Sequence, residues 1–436
     1  MSERWAFFRQ TGWMVAATTL GGLFMWLVHV PAAAGMPHSE YGVFVTLLQV
    51  MNLMMIPAMG LQTIFAQQAA AAVDEARTRE LRTTVRQMTA GMFGLWLLAA
   101  FAIAAFSSRL IAMLQIANPA ALWLTVGIGL AMLWWPILQG VLQGRQNFLW
   151  LGWLQIINGL TRFLGVLFFV TWLGWHAAGA MSAAFLGFWA AVAIAVWQTR
   201  DTLRGPGGRV AWKRWLSKAV PLSFGLGASQ FMMAADQIAV QSQFDKELTG
   251  FYGAAGMIGR ALVFFTVPLV AVMFPKVVRS HTLSQRTSVA AQALGATALL
   301  GGGAALVCTL FPALPLRIVY FSKPEYLTSA PLVPWFAWCM LPLTFSNVLI
   351  GNLLGKERFR AVPWLVLVAA AYGIALAVRT PIYSQAASPQ EGFLGVIRTL
   401  GFFSALLFAV AAWFTWGPPA RGEASPPKTD AGPASA

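Results

Sequence analysis

Long apolar stretches separated by short polar segments run the length of the chain, and their spacing predicts twelve membrane-spanning helices. They fall at about 11–33, 42–65, 84–108, 119–142, 148–173, 177–198, 217–241, 249–275, 289–312, 328–352, 361–379 and 393–415. Each is close to the roughly 20 residues a helix needs to cross a bilayer. Twelve is even, so both termini are expected on one side. The fold class is therefore an all-α polytopic membrane protein.

The pattern also repeats. Tyr41-Gly42 and Pro57 recur 211 residues later as Tyr252-Gly253 and Pro268. At the same offset Gly140, Leu142, Gly144, Phe148, Trp153 and Leu154 meet Gly351, Leu353, Gly355, Phe359, Trp364 and Leu365, and Arg145 faces Lys356. A register held over that length points to an internal duplication. Six spans in each copy give the copies the same orientation, related by an axis along the membrane normal. The expected organisation is a first six-helix lobe over 1–198, a basic cytoplasmic linker over 199–216, a second lobe over 217–415 and a disordered tail over 416–436. The linker contains Gly205-Pro206-Gly207-Gly208 and is read as flexible. The tail has too few apolar residues to fold alone.

Charge settles which way the chain faces. If the termini are inside, the inner segments hold twenty-one Lys and Arg and the outer ones five, namely Arg109, Lys246, Arg317, Lys323 and Arg379. That bias follows the positive-inside rule, and it accounts for the net charge of +15 without a nucleic-acid partner. The basic N-terminal segment leads into a span too long for a signal peptide and is read as an uncleaved anchor.

The other three of the 29 basic residues, Arg162, Arg260 and Arg398, lie within spans. A cation at membrane depth costs at least about 2.5 kcal/mol and persists mainly where it faces protein or water. Arg162 and Arg260 are far from both ends and are expected to face a central cavity, whereas Arg398, nearer the outer end, is a cavity candidate that could equally snorkel to the interface. Asp236 is the only acid within a span; it is read either as the partner of one of these arginines, holding the halves together, or as an ion-coupling or gating residue. One carboxylate against three guanidiniums leaves a cationic interior suited to a phosphate or pyrophosphate. Weaker cavity candidates are Gln49 (the repeat counterpart of Arg260) and Asn52, then Gln139 and Gln143 spaced i, i+4, and Asn158 one turn before Arg162. Interhelical hydrogen bonding explains any of these equally well.

Pro57, Pro136, Pro268 and Pro342 are expected to interrupt helices. Cys308 and Cys339 lie in spans as small apolar side chains, and His29, His38, His176 and His281 have no ligand spacing. No catalytic constellation, metal site or cofactor motif is read, and the absence of GxxxxGK[ST] argues against nucleotide hydrolysis.

Ser39-Glu40-Tyr41-Gly42-Val43-Phe44, the Asn- and Pro-containing second span, and Ala235-Asp236-Gln237 followed by Tyr252-Gly253 resemble the bacterial polysaccharide flippases. That family shares a superfamily with the lipid II flippase and the multidrug and toxin extruders. The resemblance implies two parallel-repeat six-helix lobes with alternating access, moving an undecaprenyl-diphosphate-linked saccharide from the cytoplasmic to the outer leaflet of the bacterial inner membrane. Cationic cavity residues would hold the anionic head, an ion gradient or the membrane potential would drive the cycle, and a polysaccharide polymerase or assembly protein could dock. Twelve spans rather than fourteen argue against the lipid II flippase itself. A cation-coupled multidrug exporter is the alternative, although it should favour carboxylates. The basic signature usual between spans two and three of a major-facilitator transporter is absent from Gln67 to Arg86, and a membrane polymerase or ligase would need a larger outer loop.

Overall fold

A computed structural model describes residues 2–261 and 289–417, and every regular element among them is helical. The long helices are α1 (Ser2–Leu27), α2 (His38–Met54), α3 (Glu75–Ala105), α4 (Ala120–Gly144), α5 (Phe148–Val166) and α6 (His176–Gln198). The second half holds α7 (Trp212–Gln243), α8 (246–261), α9 (Val289–Leu310), α10 (Leu332–Gly355), α11 (Val362–Tyr383) and α12 (Pro389–Trp416).

Ten helices among the described residues are long and apolar enough to cross a membrane. The other two expected spans are α7 and α8. Helix α7 has the length but is polar along much of it, with Ser223, Ser229, Asp236, Gln237 and Gln241 all buried. Its polarity is tolerated because it packs against α2 and α11 instead of presenting itself to lipid. The remainder of the expected eighth span, with Pro268, lies outside the described residues.

The order of packing repeats. In the first half α1 lies on α5, α5 on α6, α6 on α4 and α4 on α3; in the second, α7 lies on α11, α11 on α12, α12 on α10 and α10 on α9. The peripheral helices turn apolar side chains outward: Leu98 and Phe101 on α3 and Leu299 on α9 are more than 70% exposed. In water such faces would aggregate; lipid solvates them at no cost. The chain is a multi-pass membrane protein.

Of the prolines expected to break helices, Pro57 does so. Helix α2 gives way to a tight turn at Ile56–Ala58 and resumes as a helix over Leu61–Ala71. The freed backbone is satisfied from α7, where the Ser223 hydroxyl donates to the Pro57 carbonyl (3.1 Å) and accepts from Gly60 N–H (3.2 Å). Pro136 and Pro342 instead sit within continuous helices, as do Pro221 and Pro381. One missing N–H removes a single bond from a helix otherwise held by its neighbours.

The glycine-rich segment after α6 is tied down. Gly208 N–H donates to the Arg79 carbonyl (3.1 Å) and to Thr83 Oγ1 (2.8 Å), and the Arg86 guanidinium donates to the Gly205 carbonyl (3.1 Å). Its glycines serve close approach to α3 more than looseness. Nearby, Arg145 grips Asp201 through two bonds of 2.8 and 2.7 Å, which hold that carboxyl below the usual range.

Candidate functional site: a buried cation in each half

Asn158 and Arg162 stand one turn apart on α5 and both turn into the first half. Arg162 is 3% exposed. Its Nη1 lies 3.1 Å from the thioether of Met25 on α1, and the guanidinium sits 5.5 Å from the centre of the Phe188 ring on α6. Gly187 makes room: a Cβ there would fall 2.6 Å from Arg162 Cγ. Arg162 Nε, Asn158 Oδ1 and, on α4, Gln139 Nε2 are buried without hydrogen-bond partners. None of the ion pairs among the described residues involves Arg162.

Arg260, on α8, is in the opposite situation. Its Nη2 donates to both oxygens of Asp236 at 2.7 and 2.8 Å, and its Nε to the Met233 carbonyl at 2.8 Å. The Tyr252 hydroxyl donates to the same carboxylate at 2.8 Å. Exposure of the two charged side chains is 5% and 0%. Arg260 Nη1 and the Tyr372 hydroxyl on α11 are left without partners. The pair joins α7 to α8 within the second half; it does not bridge the halves.

The duplication relates one member of each cluster, the residue that meets the arginine, but not the arginines themselves, which come from non-equivalent helices. Asp236, Tyr252 and Arg260 lie 211 residues after Met25, Tyr41 and Gln49. The same place in each half therefore faces a buried arginine, but it carries a carboxylate in one copy and a thioether in the other. Sequence reasoning missed Met25, although the repeat register pointed to it.

The other candidates divide. Asn52 Nδ2 donates to Gln49 Oε1 at 3.3 Å, so those two satisfy each other. Gln143 is exposed and hydrogen-bonds Gln62 (3.2 Å), whereas Gln139 is buried, so their shared spacing does not bring them to one site. Arg398 is exposed and lies 4.8 Å from the Trp335 ring centre. Among the described residues no cluster of His, Cys, Asp and Glu could hold a metal ion.

At the end of the bundle away from the glycine-rich segment, the halves meet across a seal. Tyr41 OH lies 2.9 Å from His29 Nδ1 and 2.8 Å from Tyr320 OH of the other half. His38 stacks on Phe251 (4.6 Å between centroids), and the Lys323 ammonium donates to the Met36 carbonyl. Burial pushes the Tyr320 hydroxyl above the usual phenol range. Gln115 Nε2 donates to the Gln241 and Phe244 carbonyls at 2.8 and 2.9 Å. The repeated Tyr-Gly pair sits here: a Cβ on Gly42 would lie 2.2 Å from Thr249 Oγ1, and one on Gly253 would touch Val45 at 3.4 Å. Glycine at position 42 lets α2 and α8 cross closely, whereas a methyl at 253 would make only an ordinary contact.

A sequence profile described as polysaccharide biosynthesis protein matches residues 7–281. The chain belongs to that family. No curated protein matches it. Among solved structures, an inward-facing multidrug resistance MATE family transporter of the MOP superfamily aligns with a TM-score of 0.70 at 11% identity, covering 92% of this chain and 93% of that one. The lipid II flippase MurJ, inward closed, aligns at 0.68 and 13% identity over 92% and 87%. A MOP superfamily transporter from Pyrococcus furiosus aligns at 0.65 and 12% identity over 94% of each chain. At these identities the likeness establishes the fold, which is all-helical and MATE-like.

Proposed function

We propose that this polysaccharide biosynthesis protein is a flippase that moves an undecaprenyl-diphosphate-linked saccharide from the cytoplasmic to the outer leaflet of a bacterial inner membrane, with both termini cytoplasmic, and that it is a transporter and not an enzyme. The observation that carries the reading is Arg162, a cation 3% exposed with no carboxylate paired to it among the described residues. A buried charge without a counterion is strongly disfavoured, so its persistence calls for an anionic ligand that completes the site in part of the cycle. Guanidinium suits phosphate oxygens, and Arg162 Nε is buried with no partner among the described residues.

The basic segments mark the inner end, which makes the Tyr41–Tyr320 seal the outer one and this conformation closed to the outside. Asp236 has both oxygens taken by Arg260 and Tyr252, which disfavours a cation-coupled drug exporter, and an ion gradient or the membrane potential drives the cycle. Carrying one negative charge outward gains about 2.3 kcal/mol per 100 mV of inside-negative potential, so a diphosphate diester with two charges gains roughly twice that.

The test is reconstitution in liposomes with a polyprenyl-diphosphate-linked saccharide, a cationic dye and the Arg162→Ala variant. Saccharide movement that the variant loses is the expected result. Dye efflux without saccharide movement would overturn the reading in favour of a drug exporter.

A further inference from the structure

We infer that position 25 sets the charge selectivity of this transporter: Met25 leaves the Arg162 guanidinium available to an external diphosphate, where an acid would have filled the site from within. The second half offers a comparison at the same repeat position, although its arginine comes from a different helix. There the equivalent residue, Asp236, neutralises Arg260 through two short bonds in a region almost wholly shielded from solvent. In the first half the thioether of Met25 touches Arg162 Nη1 at 3.1 Å but carries no charge, and a thioether is a weak acceptor. One half therefore contains its own anion, and the other does not.

The surroundings of Arg162 fit a ligand with several oxygens. Its Nε is buried without a hydrogen-bond partner among the described residues and can donate. The Phe188 face supports the guanidinium from one side, leaving its edge for in-plane hydrogen bonds.

The identity of the diphosphate as lipid-borne rests on the flippase reading, whereas the role of Met25 does not. The experiment measures binding of inorganic pyrophosphate to the purified full chain by calorimetry, with thermal unfolding recorded alongside. Wild type should bind, and Met25→Asp should weaken binding about a hundredfold, as expected when a buried cation is captured by an internal carboxylate. Its unfolding midpoint should be at or above that of wild type, because the new acid neutralises Arg162. Met25→Asn, matched in size but uncharged, should bind at least about tenfold more tightly than Met25→Asp. Absence of pyrophosphate binding by wild type, equal affinities of the Asp and Asn variants, or a lowered midpoint in Met25→Asp would each overturn the inference. Competition by undecaprenyl diphosphate in mixed micelles, and none by ADP, would assign the site to a lipid-borne diphosphate; the reverse would assign it to a soluble one. Ordered pyrophosphate affinities without saccharide movement in liposomes would leave the anion site standing and remove the flippase.

Discussion

Two arginines that look alike in the sequence are in different physical states. Arg260 is half of a buried ion pair, and removing one member of such a pair strands the other charge, at a cost of about 3–5 kcal/mol. Arg260→Met should accordingly lower the unfolding midpoint, and Asp236→Asn in the same chain should restore part of the loss. Arg162 has no such partner, so Arg162→Met should leave the midpoint unchanged or raise it while abolishing saccharide transport. Thermal unfolding in detergent beside the liposome assay separates the two roles, and equal destabilisation by both substitutions would contradict this division. The expectation of charged residues inside the spans came directly from hydropathy, since polar side chains stand out against an apolar background. Which arginine was neutralised could not be read there: Asp236 is 24 residues from Arg260 and 74 from Arg162, and only the packing of α7 against α8 chooses between them.

At the scale of elements, the break in α2 depends on a side chain from another helix. Ser223→Ala would leave the Pro57 carbonyl and the Gly60 N–H without their partner, and the expected cost is about 1–3 kcal/mol. Ser229, whose hydroxyl only bonds back to Leu226 in its own helix, should tolerate the same change with little loss. The difference in unfolding midpoint between the two variants measures the support that α7 gives to α2. The sequence marked Pro57, Pro136 and Pro342 alike because proline always lacks a donor. Whether the helix breaks is decided by what surrounds it, and Ser223, 166 residues away, stands beside only one of them.

For the molecule as a whole, the seal and the orientation are open to direct test. Gly42→Ala places a methyl against Thr249 and should hold the two halves apart at that end. A thiol probe at Gln115→Cys, in a chain with Cys308 and Cys339 replaced, should then react faster than in the parent; an unchanged rate would argue against Gly42 as a closing contact. In the same background Asp245→Cys should react with an impermeant reagent from outside, and Glu357→Cys only after permeabilisation. The sequence by itself determined the all-helical membrane fold, and it set the expectations for the span count, the duplication and the side each loop prefers, because hydrophobic length, repeat register and basic-residue bias are local or additive properties of the chain. Tertiary structure decided which buried cation is already neutralised, which proline breaks its helix and which end of the bundle is closed. Those depend on groups far apart in sequence meeting within hydrogen-bond distance, and no periodicity along one chain encodes such a meeting.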